Sequence, residues 1–168
     1  MALTLNATAG SSAGNSYCTL ASASDFLQRN IHTTAAWSSL STTNAETCLI
    51  WATSLLDKQM DWNGTKATDA QALRWPREAV SDSDGYAVDE DSVPKFLVEA
   101  TAEYAKWLSV KDRTVEDPTR GFSRLEAGGL AAYINAKDRV DVIPNTVFEM
   151  ISAFGNRGTA TVRVLERR

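Results

Sequence analysis

Apolar residues recur at helical spacing in two long stretches of the chain, and these set the expected architecture. In the first, Cys48, Leu49, Ala52, Leu55, Leu56 and Met60 form a wide stripe with Trp51 beside it. This predicts a helix over about 44–60, with Thr43 and Glu46 in the pattern of a capping box. In the second, "DSVPKFLVEATAEYAKWLSV", Val93, Leu97, Ala100, Tyr104 and Leu108 line one side and Trp107 broadens the face. Asp91 or Ser92 is the expected cap, with Pro94 tolerated in the first turn. A shorter stripe of Leu20, Ala23, Phe26 and Leu27 predicts a helix over 19–29, and "TTAAWSSL" a helical turn carrying Trp37.

The pattern changes after Lys111. "KDRTVEDPTRG" is a charged loop, and "FSRLEAGGLAAYIN", with Gly128-Gly129 at its middle, reads as a two-strand hairpin or a broken strand. "PNTVFEMISAFG" reads as a short helix with Pro144 at its start and Gly155 closing it. The last residues alternate as a lone strand, and Leu3 and Leu5 predict a short edge strand ahead of a Gly/Ser-rich loop. The expected fold is mainly α: a small helical bundle with a minor β hairpin and extended N- and C-terminal segments. A body over 1–155 would hold the helical core (about 19–109), the hairpin (about 122–134) and the short helix (about 144–154). Residues 156–168 would form an extended tail.

Composition narrows the function. At 168 residues the chain is long enough for one domain that buries roughly 70% of its unfolded surface. A net charge of −4 argues against a general coat for nucleic acid, while a local basic patch stays open. No apolar run approaches the roughly 20 residues of a membrane span, and the first residues lack the order of a signal peptide. Cys18 and Cys48 fit no metal spacing, and the single histidine, His32, lies in a connection between helices. No cofactor is indicated, and no catalysis.

Four features remain. Glu78, Asp82, Asp84, Asp89, Glu90 and Asp91 crowd one stretch without a base among them. An EF-hand register would put Val80 where an acid belongs, so a solvated turn around Asp84-Gly85 is the expectation. Trp75-Pro76-Arg77 reads as an extended segment that lays Leu73 and Trp75 against the helix pair. These four residues are therefore candidates for a loop anchor or a subunit contact, with Arg77 turned toward the acidic stretch. Base stacking by the tryptophans needs cations between the aromatics; Trp62 has Lys66 nearby, and Trp75 has Arg74 and Arg77. Finally, residues 156–168 carry four arginines against Glu166, a net +3, which leaves −7 on the other 155 residues. Such a basic, alternating segment suits strand addition to another chain, or pairing within its own domain.

"NSYCTLASASDFL", "ETCLIWATSLLD", "WNGTKATDAQALRWPREAVSDSDG" and "SVPKFLVEATAEYAKWL" together resemble the tailed-phage family of DnaT-like single-stranded DNA-binding proteins. The resemblance covers about residues 15–110. It departs at Glu78-Ala79, where the family pattern has glycine before the valine. Members resemble head–tail adaptors, which implies a structural protein of the virion neck, assembled in the host cytoplasm. It would form a twelve-fold ring of itself that docks on the portal, receives a tail or nozzle protein and passes genomic DNA. No membrane would be involved. The tail residues Arg157, Thr161, Val162, Arg163, Val164, Leu165, Arg167 and Arg168 would then grip the portal. The family's name implies the alternative, a protein that binds single-stranded DNA.

Overall fold

The computed structural model describes residues 3–32, 37–115, 124–127, 130–133 and 141–158. Among these, four helices and three two-stranded antiparallel pairs are present. The helices are α1 (Leu20–Leu27), α2 (Thr42–Gln59), α3 (Lys95–Val110) and α4 (Asn145–Ile151), the last extended by a 3-10 turn, Ser152–Phe154. The strands are β1 (Met60–Trp62), β2 (Thr65–Lys66), β3 (Arg77–Glu78), β4 (Arg124–Ala127), β5 (Leu130–Tyr133) and β6 (Gly155–Arg157). The architecture is mixed, helices with small antiparallel pairs rather than the expected helical bundle, and Met60 and Trp62 of β1 join the helical core.

Helices α2 and α3 form the centre. Ala45, Leu49, Ala52 and Leu56 on α2 meet Leu97, Ala100, Tyr104, Ala105 and Leu108 on α3, all buried. The alanines on both faces let the two backbones approach closely. Thr53 and Thr101 are also fully buried, and each donates its hydroxyl to the carbonyl four residues back (3.0 and 2.7 Å). That bond is what lets a polar side chain sit in a dry helix interface. Helix α4 packs on α3 through Val147 and Ile151, and the Tyr104 hydroxyl donates to the Val142 carbonyl (2.8 Å).

The helix ends differ from expectation. Ser41, not Thr43, caps α2, its hydroxyl accepting from the Asn44 N–H. Helix α3 begins after Pro94 with no side-chain cap; Asp89 instead bonds Ser92 and the Asp91 N–H in the preceding turn. Gly155 is extended rather than a left-handed cap (φ 177°) and opens β6. It is needed there because a Cβ would lie 2.7 Å from the Asp61 carbonyl oxygen.

Strand β6 pairs with β1 in the register Met60↔Arg157 and Trp62↔Gly155, and the Gly158 N–H continues the ladder to the Gln59 carbonyl (2.7 Å). Residues 156–158, the start of the segment expected to extend as a tail, are thus paired within the body, as the own-domain alternative has it. Strands β2 and β3 pair in the register Thr65↔Glu78 and Lys66↔Arg77, and the Asn63-Gly64 turn, where Gly64 holds a φ of +69°, leads from β1 into β2. Strands β4 and β5 run from Arg124↔Tyr133 to Ala127↔Leu130. Residues 3–8 form no strand. They and the following residues close an ordered loop, in which Asn15 accepts from the Asn6 N–H (2.7 Å) and donates to the Thr4 carbonyl (2.9 Å).

Candidate functional site

Three segments far apart in sequence meet at one hydrogen-bonded node. Tyr17 leaves the N-terminal loop with its N–H on the Thr53 hydroxyl (3.1 Å) and its own hydroxyl donating to Asp57 Oδ1. That hydroxyl oxygen also accepts from the backbone N–H groups of Arg74 (3.1 Å) and Trp75 (3.2 Å), while Asp57 Oδ2 accepts from the Arg74 N–H (3.1 Å). "NSY", "LLD" and "RWP", three of the motifs in the sequence, are thus parts of one latch. Burial raises the Tyr17 pKa well above its ordinary value, with the Asp57 charge adding to it. Burial raises the Asp57 pKa as well, and the bonds from Tyr17 and Arg74 offset that only in part.

The sign of that shift gives a testable pH dependence. A carboxyl with a raised folded pKa favours folding when protonated, so its contribution is present at low pH and lost as pH rises through the folded pKa. Relative to Asp57→Asn, the wild-type chain is expected to gain stability as pH falls through that raised pKa. The difference should level off below the ordinary value of 3.8. Urea unfolding of both proteins across this window measures it; a difference that shrinks on acidification would mean that the tyrosine bond outweighs burial.

Above the latch lies an open groove of about 540 Å³ between the N-terminal loop, the outer face of α2 and residues 72–74. Gly14 and Asn15 form one wall, Ile50, Ser54 and Lys58 another, and Lys66, Leu73 and Arg74 the third. Asp57 is the only carboxylate in the lining, against three cations. None of the three is within ion-pair distance of a carboxylate among the described residues. Lys66 Nζ and Arg74 Nη1 are instead steadied by backbone carbonyls, of Gln71 (2.8 Å) and Met60 (3.2 Å). Lys58 is exposed. The Ala72 N–H on the Ser11 carbonyl (3.1 Å) ties the two loop walls together.

Gln71 organises the third wall. Fully buried, it accepts from the Thr68 N–H (2.9 Å) and donates to the carbonyls of Leu73 (2.9 Å) and Pro76 (3.0 Å). The Trp75–Pro76 peptide that follows is cis. Trp75 is 1% exposed, edge-on to both Trp62 (5.7 Å) and Phe96 (5.6 Å), and Leu73 is half-buried against the same core. Arg77 does not face the acidic stretch as expected. Its guanidinium donates to the carbonyls of Asn63 and Gly64 (2.6 Å each), Arg74 (3.1 Å) and Trp62 (3.4 Å). Leu73, Trp75, Pro76 and Arg77 therefore hold the loop within one chain, and the buried rings of Trp62 and Trp75 are closed to stacking with a ligand.

The acidic stretch is a tight turn. Asp82 Oδ1 accepts from the N–H groups of Asp84 (3.0 Å) and Tyr86 (2.8 Å), and Gly85 takes a φ of +87°. Among the described residues no three His, Cys, Asp or Glu side chains converge as a metal site would need. Of the expected portal-gripping residues, Arg157 is committed to the body. It pairs with Asp141 (2.7 Å), donates to Asn145 Oδ1 (2.8 Å) and lies over the Phe148 ring (4.5 Å). Thr161, Val162, Arg163, Val164, Leu165, Arg167 and Arg168 lie outside the described residues.

In the sequence Lys66 and Arg74 stand out only as cations beside tryptophans, and Asn15, Asp57, Lys58 and Gln71 do not stand out at all. Their periodicity gives no sign of a shared site. The recurrence of "NSY", "LLD" and "RWP" in one family pattern was the one available signal.

The family described as "Putative DnaT-like ssDNA binding protein" matches residues 1–165. No curated protein and no solved structure matches the chain. The family match overturns the adaptor reading: it is to a DNA-binding description, and it lends nothing to a twelve-fold ring, a portal or tail partner, or a place in the virion neck. The resemblance seen over residues 15–110 extends through nearly the whole chain, which belongs to the DnaT-like ssDNA-binding family.

Proposed function

We propose that this protein binds single-stranded DNA, without catalysis, and that the groove above the Tyr17–Asp57 latch takes the strand. The observation that carries the reading is the charge reversal at the groove. A chain with a net charge of −4 puts Lys58, Lys66 and Arg74 around one opening with a single carboxylate. Phosphates on a flexible strand are neutralised by such an arrangement, and the apolar Ile50 and Leu73 in the lining suit sugar or base surface. The groove walls are preorganised by the latch, by Gln71 and by the Asn6–Asn15 loop, which limits the ordering entropy that binding costs.

The test is a titration with a labelled oligothymidylate at several salt concentrations. The logarithm of affinity is expected to fall linearly with that of salt, by roughly 0.7 for each phosphate neutralised. Lys58→Glu with Lys66→Glu should weaken binding at least tenfold and flatten that slope, while the melting temperature stays near wild type. Tight binding that ignores both salt and these charge reversals would sink the reading.

A further inference from the structure

We propose that the exposed end of α3 is a base-stacking platform, centred on Trp107, for the strand that enters the groove; this rests on the single-stranded DNA reading. Of the five tryptophans, all among the described residues, Trp107 alone is exposed, at 38%, while Trp37, Trp62 and Trp75 are buried and Trp51 half-buried. The sequence offered Trp62 and Trp75 as the tryptophans with cations beside them. The fold buries both and brings a different tryptophan between two cations.

The Lys106 ammonium lies 5.8 Å from the Trp107 ring centroid and the Arg113 guanidinium 5.5 Å. The indole N–H donates to Glu103 Oε1 (3.2 Å), which fixes the ring plane, and Glu103 also takes the Lys106 ammonium. Arg113 donates to the carbonyls of Asp141 (2.7 Å) and Val142 (3.2 Å), and among the described residues it pairs with no carboxylate. Lys111 is exposed alongside, and Val110 is 75% exposed. An exposed indole with cations over its ring and apolar surface beside it offers what an unstacked base and its phosphate need: a π surface, which a base shares with or takes from a stacked guanidinium, and neutralising charge.

A line of contacts joins this platform to the groove. Arg113 binds the Asp141 carbonyl, and Arg157 binds the Asp141 carboxylate (2.7 Å). The neighbour of Arg157, Gly158, bonds the Gln59 carbonyl, next to Lys58 on the groove wall. A shallow depression of about 180 Å³, lined by Gln59, Asp141, Arg157 and Gly158 among others, lies along that line. Lys58 and Arg113 thus stand at the two ends of this line, with the Arg157–Asp141 pair between them.

The experiment is a fluorescence and affinity titration of the full chain with oligothymidylate, for wild type, Trp107→Ala and Trp107→Phe, with thermal melts and sizing of each protein. Wild-type tryptophan emission is expected to quench on binding, and Trp107→Phe should remove most of the quench while keeping most of the affinity. Trp107→Ala should bind about 5- to 100-fold more weakly at an unchanged salt slope, because stacking releases no counterions. Unchanged affinity in Trp107→Ala, or quenching that persists in Trp107→Phe, overturns this inference and leaves the function standing. Wild-type dimers that Trp107→Ala dissociates would assign the platform to a second copy instead, which also overturns it. Absence of wild-type binding even at low salt overturns the function itself and this inference with it.

Discussion

Replacing Trp75 with alanine is expected to lower the free energy of unfolding by about 3–5 kcal/mol, near the upper end for a single buried side chain. The ring is 1% exposed and stands edge-on between Trp62 and Phe96, and Phe96 in turn stacks on Phe154 (3.6 Å between centroids, 4° between planes). Truncation would leave a cavity the size of an indole and remove two edge-to-face pairs, each worth roughly 0.5–1.5 kcal/mol beyond area burial. It would also uncouple β1, α3 and the turn ahead of β6, which meet through this row of rings. Trp75→Phe should cost less, on the order of 1–2 kcal/mol, since the Trp75 Nε1 has no hydrogen-bond acceptor to lose. Urea unfolding checks both. A Trp75→Ala protein as stable as wild type would show that the ring is not an anchor.

Arg77→Ala is expected to cost about 3 kcal/mol, for a different reason: it strands acceptors instead of opening a cavity. One guanidinium serves the carbonyls of Trp62, Asn63, Gly64 and Arg74, which all turn toward it. Arg77→Lys should recover less than half of the loss, because a single ammonium on a flexible stem cannot span four acceptors arranged for a planar fork. Burial lowers the Arg77 pKa, the nearby Arg74 charge adds to that, and the group still stays charged through the neutral range. The Arg77 effect should therefore hold across pH 5–8. Denaturation midpoints for the two variants at both ends of that range decide the matter; full rescue by lysine would rule out the fork.

Helical periodicity was enough to find α2 and α3, because each buries a stripe that the 3.6-residue repeat makes visible. The expected span of 44–60 corresponds to Thr42–Gln59, with the start displaced because Ser41 outcompetes Thr43 as cap. The Asn63-Gly64 turn was equally plain, since a left-handed position favours glycine. The short strands were not legible in the same way. Strands β1 and β6 are three residues each and about 90 positions apart, so neither carries a two-residue alternation long enough to read. Leu3 and Leu5 mimic a short strand ahead of the loop, but the order of this segment comes from the Asn6 and Asn15 side chains, whose bonds leave no periodic trace.

The sequence by itself determined the two central helices, the turn glycines, the absence of a long apolar span and, through its recurring motifs, the family. The local chemistry of each segment decides these, so no distant partner is needed to read them. Tertiary structure alone decided that Tyr17, Asp57 and Arg74 share one latch, and that Lys58, Lys66 and Arg74 share one groove. It also decided that Arg157 pairs within the body and that Trp107 is exposed while Trp75 is buried. Each of these depends on which carbonyls and which faces lie opposite across tens of residues, and that pairing is settled only when the core packs.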